Sequence, residues 1–471
     1  MSETFRRVTG PEDMNLSGEA ILRFLDAHSD LGIHSLALVR ENQVYALSYK
    51  PYSEELPHAL FSLSKSFTSM AAGLAIHEGL ISLEDSVADV LKSSLPDPYD
   101  PRLHQVKFQH LLSMTSGLDP RSNLRSLREK RDWARETLSF PVIDEPGTTF
   151  FYNSHGTYLA GRMISERTGQ TLRDYLMPRL FSKLGIKKPQ WDCCPLGYNA
   201  AGFGLSLSVM DLARVGQMLL ANGVWQGETV LPPDFLAQAT TKQAETADPK
   251  AREHWADWEN GYGWQFWMGQ NGRYRGDGMF GQVLMVDPEN NLALAVTAGL
   301  KKMGDEVAAL NILMDDLIKL EPLGKQEQRA LSAFVADLHV KSPGDDGGEV
   351  CIEGSYLDAA GRQLRIETPD SDTLRLFYKA RGQKTLDKMI FGRRQAHQGE
   401  YCSPRPGEGP QPCLGRFGVH QGTLRLQALM PKGAYTIDIV LKPEGKDLDV
   451  LMDNVGFESG HFHFTSAGQK E

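Results

Sequence analysis

Ser62 and Lys65 stand three positions apart within residues 61–67, Phe-Ser-Leu-Ser-Lys-Ser-Phe. A serine hydroxyl is a poor nucleophile at neutral pH, and an adjacent amine that takes its proton is one of the few ways to activate it. On a helix, this spacing places both side chains on one face. If Ser62 begins the helix, the free backbone amides there favour a developing negative charge. The pair therefore suits nucleophilic catalysis.

The motif also has an ordinary structural explanation. About two Ser-x-x-Lys matches are expected by chance in a chain of this length, and serine is a common helix N-cap. The context favours chemistry, because the motif opens a long apolar run. Apolar residues recur at three- and four-residue spacing from Leu63 to Ala75, and Gly79 follows, which predicts a buried helix over about 63–78.

Other predicted elements surround this helix and indicate an α+β protein. Helical spacing of apolar residues predicts further helices over about 17–30, 208–221, 304–319 and 325–340. Apolar runs bounded by turn residues predict two hairpins, which pair 33–39 with 44–49 and 283–286 with 292–296. The elements that must position Ser62 thus lie on both sides of it.

The composition changes after residues 342–348, Ser-Pro-Gly-Asp-Asp-Gly-Gly, which form the clearest linker signal. Short alternating runs between turn residues follow, and they predict an antiparallel β barrel or sandwich. We therefore divide the 471 residues into a domain over 1–320, a helical linker over 321–348 and a β domain over 349–471. The stretch 342–348 has no apolar side chain to anchor it, so we expect proteases to cut there.

Composition limits the function classes. The net charge of −10 gives no electrostatic reason to bind nucleic acid or an anionic membrane, so a small-molecule substrate is expected. The first seven residues lack the apolar core of a secretory signal, which favours a cytoplasmic protein. The five cysteines include no Cys-x-x-Cys and are interpreted as free thiols. We identify no cofactor motif and no metal motif.

Two further clusters have open interpretations. The six basic residues of 121–135 could form a substrate rim, although a solvated helical face is the commoner use of such a pattern. Four of the seven tryptophans, Trp255, Trp258, Trp264 and Trp267, could line a pocket, although packing in the core is the commoner use.

A second motif, Tyr152-Asn153-Ser154, stands between an aromatic extended piece and a predicted helix. Alone it is more often a turn with a packed ring. Together with Ser62-x-x-Lys65 and the segments 110–118 and 211–214, it completes an ordered set that resembles the serine β-lactamase-like and penicillin-binding-protein-like hydrolases. That family includes class C β-lactamases, D-alanyl carboxypeptidases, D-aminopeptidases and related esterases, and the resemblance covers about residues 15–318.

The resemblance implies a mixed sheet flanked by helices, an inserted helical subdomain and a cleft that holds Ser62. It also implies roles: Ser62 becomes acylated, Lys65 assists its deprotonation, and Tyr152 acts as general base and then acid. Ser154 would bridge Tyr152 and Lys65 or contact the leaving group. A cationic Lys65 beside Tyr152 would favour the phenolate and lower the pKa of the phenol.

The third motif departs from the family pattern of Lys or His, any residue, then Gly. It falls on Gly276-Asp277-Gly278, so the basic residue is missing while the glycine remains. An oxyanion hole from the amides of Ser62 and Met279 is still feasible, with Gly276 and Gly278 letting the backbone approach. Arg273 or Arg275 could replace the missing charge.

We therefore predict a serine hydrolase that cleaves a small ester or amide through an acyl-enzyme. A β-lactamase or a D-Ala or D-amino-acid peptidase is the alternative within enzymes. A penicillin-binding or sensor protein without turnover is the alternative from another class. Neither the natural substrate nor the oligomeric state follows from the sequence.

Overall fold

The computed structural model describes residues 5–247, 256–301, 303–380, 387–402, 410–456 and 458–467. These residues form two compact units. The first contains residues up to Ala298 and the stretch that ends at Leu338, and the second contains Gly299–Lys301 and the chain from His339 onward.

A seven-stranded sheet forms the centre of the first unit. Its order is β1-β3-β2-β12-β11-β10-β9; β1 pairs with β3 in parallel and the other pairs are antiparallel. Both predicted hairpins, β2–β3 and β11–β12, are present in it. The strands of this unit are β1 Arg6–Arg7, β2 Ile33–Arg40, β3 Gln43–Ser48, β4 His58–Ala59, β5 Gln190–Trp191, β6 Leu205–Leu207, β7 Val224–Trp225, β8 Glu228–Thr229, β9 Trp267–Met268, β10 Tyr274–Gly278, β11 Gln282–Asp287 and β12 Leu292–Ala298.

Helices flank the sheet and form an inserted subdomain. Helix α8 packs on β2, β11 and β12, α1 packs on α10, and α2 packs on α6, α7 and α9. The helices are α1 Gly18–Ala27, α2 Ser64–His77, α3 Val87–Val90, α4 Phe108–Leu112, α5 Trp133–Leu138, α6 Ser154–Thr168, α7 Leu172–Leu176, α8 Val209–Leu220, α9 Pro233–Ala239, α10 Gly304–Lys319 and α11 Lys325–Ala336. None of the helices in the described part of the chain is both long and apolar enough to cross a bilayer. The predicted fold class, a sheet with flanking helices and a helical insertion, is confirmed.

Ser62 lies in a short 3₁₀ turn, Phe61–Leu63, that leads directly into α2. The predicted helix over 63–78 is therefore correct in its body, while the nucleophile candidate stands just before the first α-helical residue. Twelve of the fourteen residues of α2 are buried, because the helix is surrounded by other helices and by the edge of β10. The spacing of apolar residues in the sequence predicts one buried face of α2. Small residues on its other faces, such as Ser66, Ser69 and Gly73, are buried as well.

Helix α11, which we assigned to a linker over 321–348, packs instead on α1 and β3 in the first unit. Leu331 is 2% exposed and anchors the helix. Lys50 adds a second anchor, because its ammonium donates to the carbonyl of Ala336 at 2.8 Å. A mostly polar helix with one apolar anchor has little sequence signal for docking, which explains the difference.

The second unit contains a β barrel, which settles the choice between barrel and sandwich. Nine of its described strands close in a ring through the pairing of β16 with β18, and β17 adds to β18 from outside the ring. The strands are β13 Gly354–Asp358, β14 Gln363–Asp370, β15 Thr373–Lys379, β16 Asp387–Gly392, β17 His397–Cys402, β18 Pro410–His420, β19 Thr423–Leu429, β20 Thr436–Glu444, β21 Asp447–Met452 and β22 Gly460–Ser466.

The stretch 342–348 is bonded to the barrel through polar groups. The guanidinium of Arg393 donates to both carboxylate oxygens of Asp345, each at 2.8 Å, and to the carbonyl of Gly348 at 2.7 Å. Asp346 accepts from the amide of Gln421 at 2.8 Å. Charge-assisted bonds therefore hold a segment that has no apolar anchor. Pairing with Arg393 keeps the pKa of Asp345 well below its ordinary value.

Four of the five cysteines, Cys193, Cys194, Cys351 and Cys413, are free thiols in the structure, as the sequence predicts. The side chain of Cys402 lies outside the described residues. Cys194 is buried and accepts a hydrogen bond from the hydroxyl of Tyr158 at 3.2 Å.

Candidate active site

Lys65 is the centre of the candidate site. Its nitrogen Nζ donates to the hydroxyl of Ser62 at 3.0 Å, to the hydroxyl of Ser154 at 3.1 Å and to the carbonyl of Gly202 at 2.7 Å. An ammonium group has three donors, and these three acceptors match them. The side chain is 2% exposed, so α2 holds it in one position relative to Ser62. The pair predicted from spacing is therefore in direct contact.

The second motif supplies the facing side of the site. Asn153 is the N-cap of α6 and accepts from the amides of His155 at 2.9 Å and Gly156 at 3.1 Å. Its own amide group donates to Ser122 at 2.8 Å, so Asn153 points into the protein. Tyr152 and Ser154, on either side of this cap, both reach the Ser62–Lys65 pair. Helix capping therefore fixes which two residues of the motif face the site.

Tyr152 lies against the nucleophile and among aromatic rings. The hydroxyl of Ser62 and the phenol of Tyr152 are hydrogen-bonded to each other. The ammonium of Lys65 lies 4.9 Å from the centroid of the phenol ring. The indole of Trp267 stacks on that ring with centroids 5.6 Å apart and planes 16° apart, and Tyr262 meets it edge-on at 6.3 Å. These contacts fix the ring in one orientation.

The predicted direction of the Tyr152 pKa shift is wrong. Burial of the phenol among protein groups raises its pKa, the carboxylate of Asp277 raises it further, and the hydrogen bond with Ser62 opposes both. The prediction considered only the charge of Lys65. It left out the burial of the Tyr152 phenol and the carboxylate of Asp277. The neutral phenol is therefore the resting form of Tyr152 near neutral pH.

The glycines of the third motif let β10 lie directly against the turn that carries Ser62. A Cβ atom at Gly278 would overlap the carbonyl oxygen of Leu60, and one at Gly276 would overlap side-chain atoms of Leu63 and Ser66. A side chain at Gly278 would push the strand away from the backbone of Leu60, whereas one at Gly276 would require the side chains of Leu63 and Ser66 to move. The close approach expected from the two glycines is present, and Met279 follows at the partly exposed strand end.

Arg273 and Arg275 do not replace the missing base. Arg273 is 3% exposed and pairs with Asp287 at 2.9 Å and with Asp315. Arg275 is 1% exposed, donates to Asp277 at 3.2 Å and donates twice to the carbonyl of Asp257 at 3.2 Å. Freeing either guanidinium would leave buried carboxylates unpaired, which opposes any movement into the cleft.

Asp277, the middle residue of the third motif, places a carboxyl group close enough to Tyr152 to affect its pKa. One of its oxygens accepts from the indole of Trp258 at 2.9 Å and from Arg275 at 3.2 Å. Burial raises the pKa of Asp277, and Arg275, Trp258 and Lys65 only partly oppose this shift. The third motif therefore places a carboxyl group, paired with Arg275, between its two glycines.

A second acid, Glu306, lies close enough to Asp277 and Arg275 for their charges to affect its pKa. Its side chain is fully buried, and neither carboxylate oxygen has a hydrogen-bond partner. Burial raises the pKa of Glu306 well above its ordinary value, Asp277 raises it further, and Arg275 opposes the shift. Burial thus favours the neutral form of Glu306.

The tryptophans that the structure describes lie in two places, beside the candidate site and in the core. Trp258 and Trp267 surround Tyr152 and Asp277, while Trp264 packs on Phe235 in the core. Trp255 lies outside the described residues. The sequence analysis missed Gly202, whose carbonyl holds Lys65. A backbone carbonyl cannot be recognised as an acceptor from the type of side chain, so only the small residues around 202–204 could have indicated a close approach there.

The chain belongs to the beta-lactamase family, whose model matches residues 23–317. It is 26% identical over 271 residues to a 6-aminohexanoate-dimer hydrolase of Paenarthrobacter ureafaciens, a match that covers 54% of this chain and 69% of that relative. It is 28% identical over 170 residues to a lovastatin esterase of Penicillium rubens, covering 31% of this chain but only 42% of the esterase.

Solved structures show the same fold. A putative 6-aminohexanoate-dimer hydrolase from Bacillus anthracis superposes with a TM-score of 0.53 at 21% identity, over 62% of this chain and 80% of that one. EstCE1, described as a hydrolase with promiscuous acyltransferase activity, superposes with a TM-score of 0.53 at 17% identity, over 64% of this chain and 98% of EstCE1. At these identities the likeness establishes the fold and not the substrate.

Proposed function

We propose that the protein is a serine hydrolase that cleaves a small ester or amide through an acyl-enzyme on Ser62. The observation that carries this proposal is the position of the Lys65 ammonium, 3.0 Å from the Ser62 hydroxyl and 3.1 Å from the Ser154 hydroxyl. A buried lysine held between two hydroxyls, with a phenol on the same nucleophile, fits covalent catalysis better than simple binding. The relatives named as hydrolases and esterases support the same class.

The proposed reaction has two halves. In the first, the oxygen of Ser62 bonds to the substrate carbonyl, the bond to the leaving alcohol or amine breaks, and the proton of Ser62 reaches the leaving group through Lys65 and Tyr152. In the second, water attacks the acyl carbonyl, the bond between the carbonyl carbon and the Ser62 oxygen breaks, and a proton from the water returns to Ser62 as the acid is released. Because the pKa of Tyr152 is raised, its neutral phenol is placed to donate to the leaving group.

The proposed oxyanion hole uses the amides of Ser62 and Met279. Support comes from Gly278, whose missing side chain lets the strand end lie against the turn at 61–63. Two preorganised amides aimed at a developing oxyanion contribute about 2.7–4 kcal/mol each in well-studied hydrolases. Ser154 would then contact the leaving group from the Lys65 side.

Esters without a carboxylate are the substrates that this site favours. The basic residue of the third motif is absent, both nearby arginines are paired elsewhere, and Asp277 adds an acid. A substrate carboxylate entering this cleft would meet no free cation among the third-motif strand residues, because Arg275 is paired with Asp277. The β-lactamase and D-Ala peptidase alternatives both require such a carboxylate.

Intact-mass analysis with a fluorophosphonate tests the proposal. We expect one adduct per chain, mapped to Ser62, together with steady-state turnover of a short-chain aryl ester after a burst. A burst that stops at one equivalent would instead indicate the sensor alternative. An adduct on any other residue would overturn the assignment of Ser62.

A further inference from the structure

Gln265 is a buried glutamine in the turn between Tyr262 and Trp267, which pair with each other across it. Both flanking residues contact the phenol ring of Tyr152. Gln265 is 1% exposed and has left-handed backbone, with φ 64°. A residue with a side chain keeps this conformation only where the surrounding structure determines it, and such residues cluster at functional sites. The contacts that hold Gln265 therefore bear on the site.

The side chain of Gln265 joins two helices. Its amide nitrogen donates to the carbonyls of Leu111 at 3.1 Å and Leu112 at 2.8 Å. These are the last two carbonyls of α4, and the end carbonyls of a helix have no partner within it. The amide oxygen accepts from the hydroxyl of Thr157 on α6 at 2.9 Å. Both amide hydrogens and the amide oxygen are thus bonded at a buried position.

The main chain of Gln265 reaches a third helix. Its carbonyl accepts from the hydroxyl of Ser66 on α2 at 2.9 Å. Its amide donates to the carbonyl of Leu112 at 3.1 Å, which strengthens the link to α4. Helices α2, α4 and α6 therefore meet at one residue.

Two of these contacts adjoin groups of the candidate site. Ser66 follows Lys65 on α2, and Thr157 lies about one helical turn after Ser154 on α6. The Lys65 ammonium donates to the hydroxyl of Ser154 at 3.1 Å, so this bond depends on how α2 and α6 are held together. Gln265 links the same two helices through Ser66 and Thr157.

The contact with α4 leads to Tyr152. Met114 lies two residues after α4, and its carbonyl accepts from the amide of Phe151 at 2.8 Å. The sulfur of Met114 accepts from the amide of Asn153 at 3.2 Å. These bonds hold the backbone on both sides of Tyr152. The segment that follows α4 therefore positions the phenol, and Gln265 bonds to the end of that helix.

We propose that Gln265 is a positioning residue for the hydrolase reaction, which sets the mutual positions of Lys65, Ser154 and Tyr152 by joining α2, α4 and α6 at one buried residue. This inference rests on the proposed function. A planar amide offers two donors and an acceptor in fixed directions, so it holds its partners in one geometry. Displacing a catalytic group by about 1 Å can lower kcat about a hundredfold, so a small shift among these helices is measurable as a rate.

Steady-state kinetics of the full chain with a short-chain aryl ester tests the proposal. Gln265→Met keeps the length of the side chain but has neither the amide donors nor the amide acceptor. We expect kcat to fall at least about tenfold, measured well below the thermal midpoint, while KM changes less than about threefold. The split is expected because Lys65 and Tyr152 would act in both halves of the reaction, so both halves slow together.

Gln217→Met on α8 is the matched control. Gln217 is 5% exposed, and its amide oxygen accepts from the main-chain amide of Asn42 at 2.7 Å. Loss of this bond should lower the thermal midpoint, while kcat stays within about twofold of the parent value. A purely structural role for Gln265 would give this same pattern in Gln265→Met.

A second pair of variants isolates the contact with α6. Thr157→Val has nearly the same shape but lacks the hydroxyl that bonds to Gln265, and it should lower kcat about threefold to tenfold. Thr157→Ser keeps a hydroxyl and should retain most of the kcat of the parent. This pair decides the question if Gln265→Met does not fold.

The outcomes separate this inference from the proposed function. Ester turnover by the unchanged protein, with kcat retained in Gln265→Met or equal in the two Thr157 variants, overturns the positioning role and leaves the proposed function standing. A fall in kcat that Gln217→Met matches overturns the positioning role as well. An unchanged protein that neither reacts with a fluorophosphonate at Ser62 nor turns over the ester overturns the proposed function and this inference with it.

Discussion

The indole of Trp267 lies flat on the phenol ring of Tyr152, with centroids 5.6 Å apart and planes 16° apart. This stacking orients the phenol toward Ser62 without contacting the nucleophile itself. We expect Trp267→Ala to lower kcat about tenfold to a hundredfold, because the phenol loses its fixed orientation. Trp267→Phe should restore most of that loss. Equal damage by both substitutions would show that the indole does more than position the ring.

Removal of the central groups should abolish turnover while the fold is kept. We expect Ser62→Ala to eliminate steady-state ester hydrolysis, and Lys65→Ala and Tyr152→Phe to lower kcat by about 10³-fold or more. Circular dichroism and the thermal midpoint serve as controls for folding. Retention of most activity in Ser62→Ala would contradict the acyl-enzyme mechanism.

Selectivity for esters is expected because the third motif lacks its basic residue. A missing charge-assisted contact to a substrate carboxylate costs about 1.5–3 kcal/mol, or roughly tenfold to a hundredfold in affinity. We expect kcat/KM for a short-chain aryl ester to exceed that for a chromogenic cephalosporin on the same preparation. A cephalosporin value equal to or above the ester value would show an intact carboxylate site.

Asp277 should contribute to this selectivity through its charge. Asp277→Asn removes the acid beside Tyr152, so the cephalosporin value should rise relative to the ester value. Asp315→Asn is the matched control, because it removes a carboxylate partner from Arg273, the residue that precedes the same strand. The control should leave the ratio unchanged. A ratio that moves equally in both variants would rule out a direct effect of Asp277.

Glu306 predicts a dependence of stability on pH. Its pKa in the folded protein is raised, so the folded state binds more protons than the unfolded state between the two pKa values. Glu306 contributes its full stability at low pH, where it is protonated in both states. Above the ordinary glutamate pKa, the free energy of unfolding falls by about 1.4 kcal/mol for each pH unit. The fall ends when the pH exceeds the pKa of Glu306 in the folded protein. Glu306→Gln should therefore gain stability over the parent as pH rises from 5 to 8.

The adjacent Asp305 supplies the control for that measurement. Asp305 is exposed, so Asp305→Asn should change the free energy of unfolding little. Urea unfolding of the three proteins at several pH values gives the comparison. A difference between Glu306→Gln and the parent that stays constant with pH would contradict a proton held by Glu306.

Proteolysis tests the polar anchoring of residues 342–348. The sequence predicts a sensitive linker there, and the bonds from Arg393 to Asp345 and Gly348 oppose cleavage. We expect slow cutting in the parent and fast cutting in Arg393→Ala. Arg394→Ala is the control, because Arg394 is 82% exposed and pairs only loosely with Asp372 at 3.4 Å. Fast cutting at 342–348 in the parent would show that the polar contacts do not hold.

The sequence predicts well those parts of the molecule that rest on local patterns. Helix α2, the hairpin β11–β12 and the Ser62–Lys65 contact follow from periodicity, turn residues and helical spacing. The partners brought by distant chain segments could not be predicted. The carbonyl of Gly202 has no side-chain signal, and the pairing of Arg275 depends on which strand face points inward. The pKa of Tyr152 also depends on groups from distant chain segments, so the direction of its shift was predicted wrongly.

Two phenylalanines with left-handed backbone flank the proposed oxyanion hole. Phe61 has φ 49° and precedes Ser62, Phe280 has φ 66° and follows Met279, and their rings meet edge-on at 5.2 Å. Such backbone is costly for a residue with a side chain, by about 1–3 kcal/mol. Removing the buried ring of Phe61 would cost about 3–5 kcal/mol, which exceeds that strain, so a screen for heat tolerance alone should retain the phenylalanine at this position.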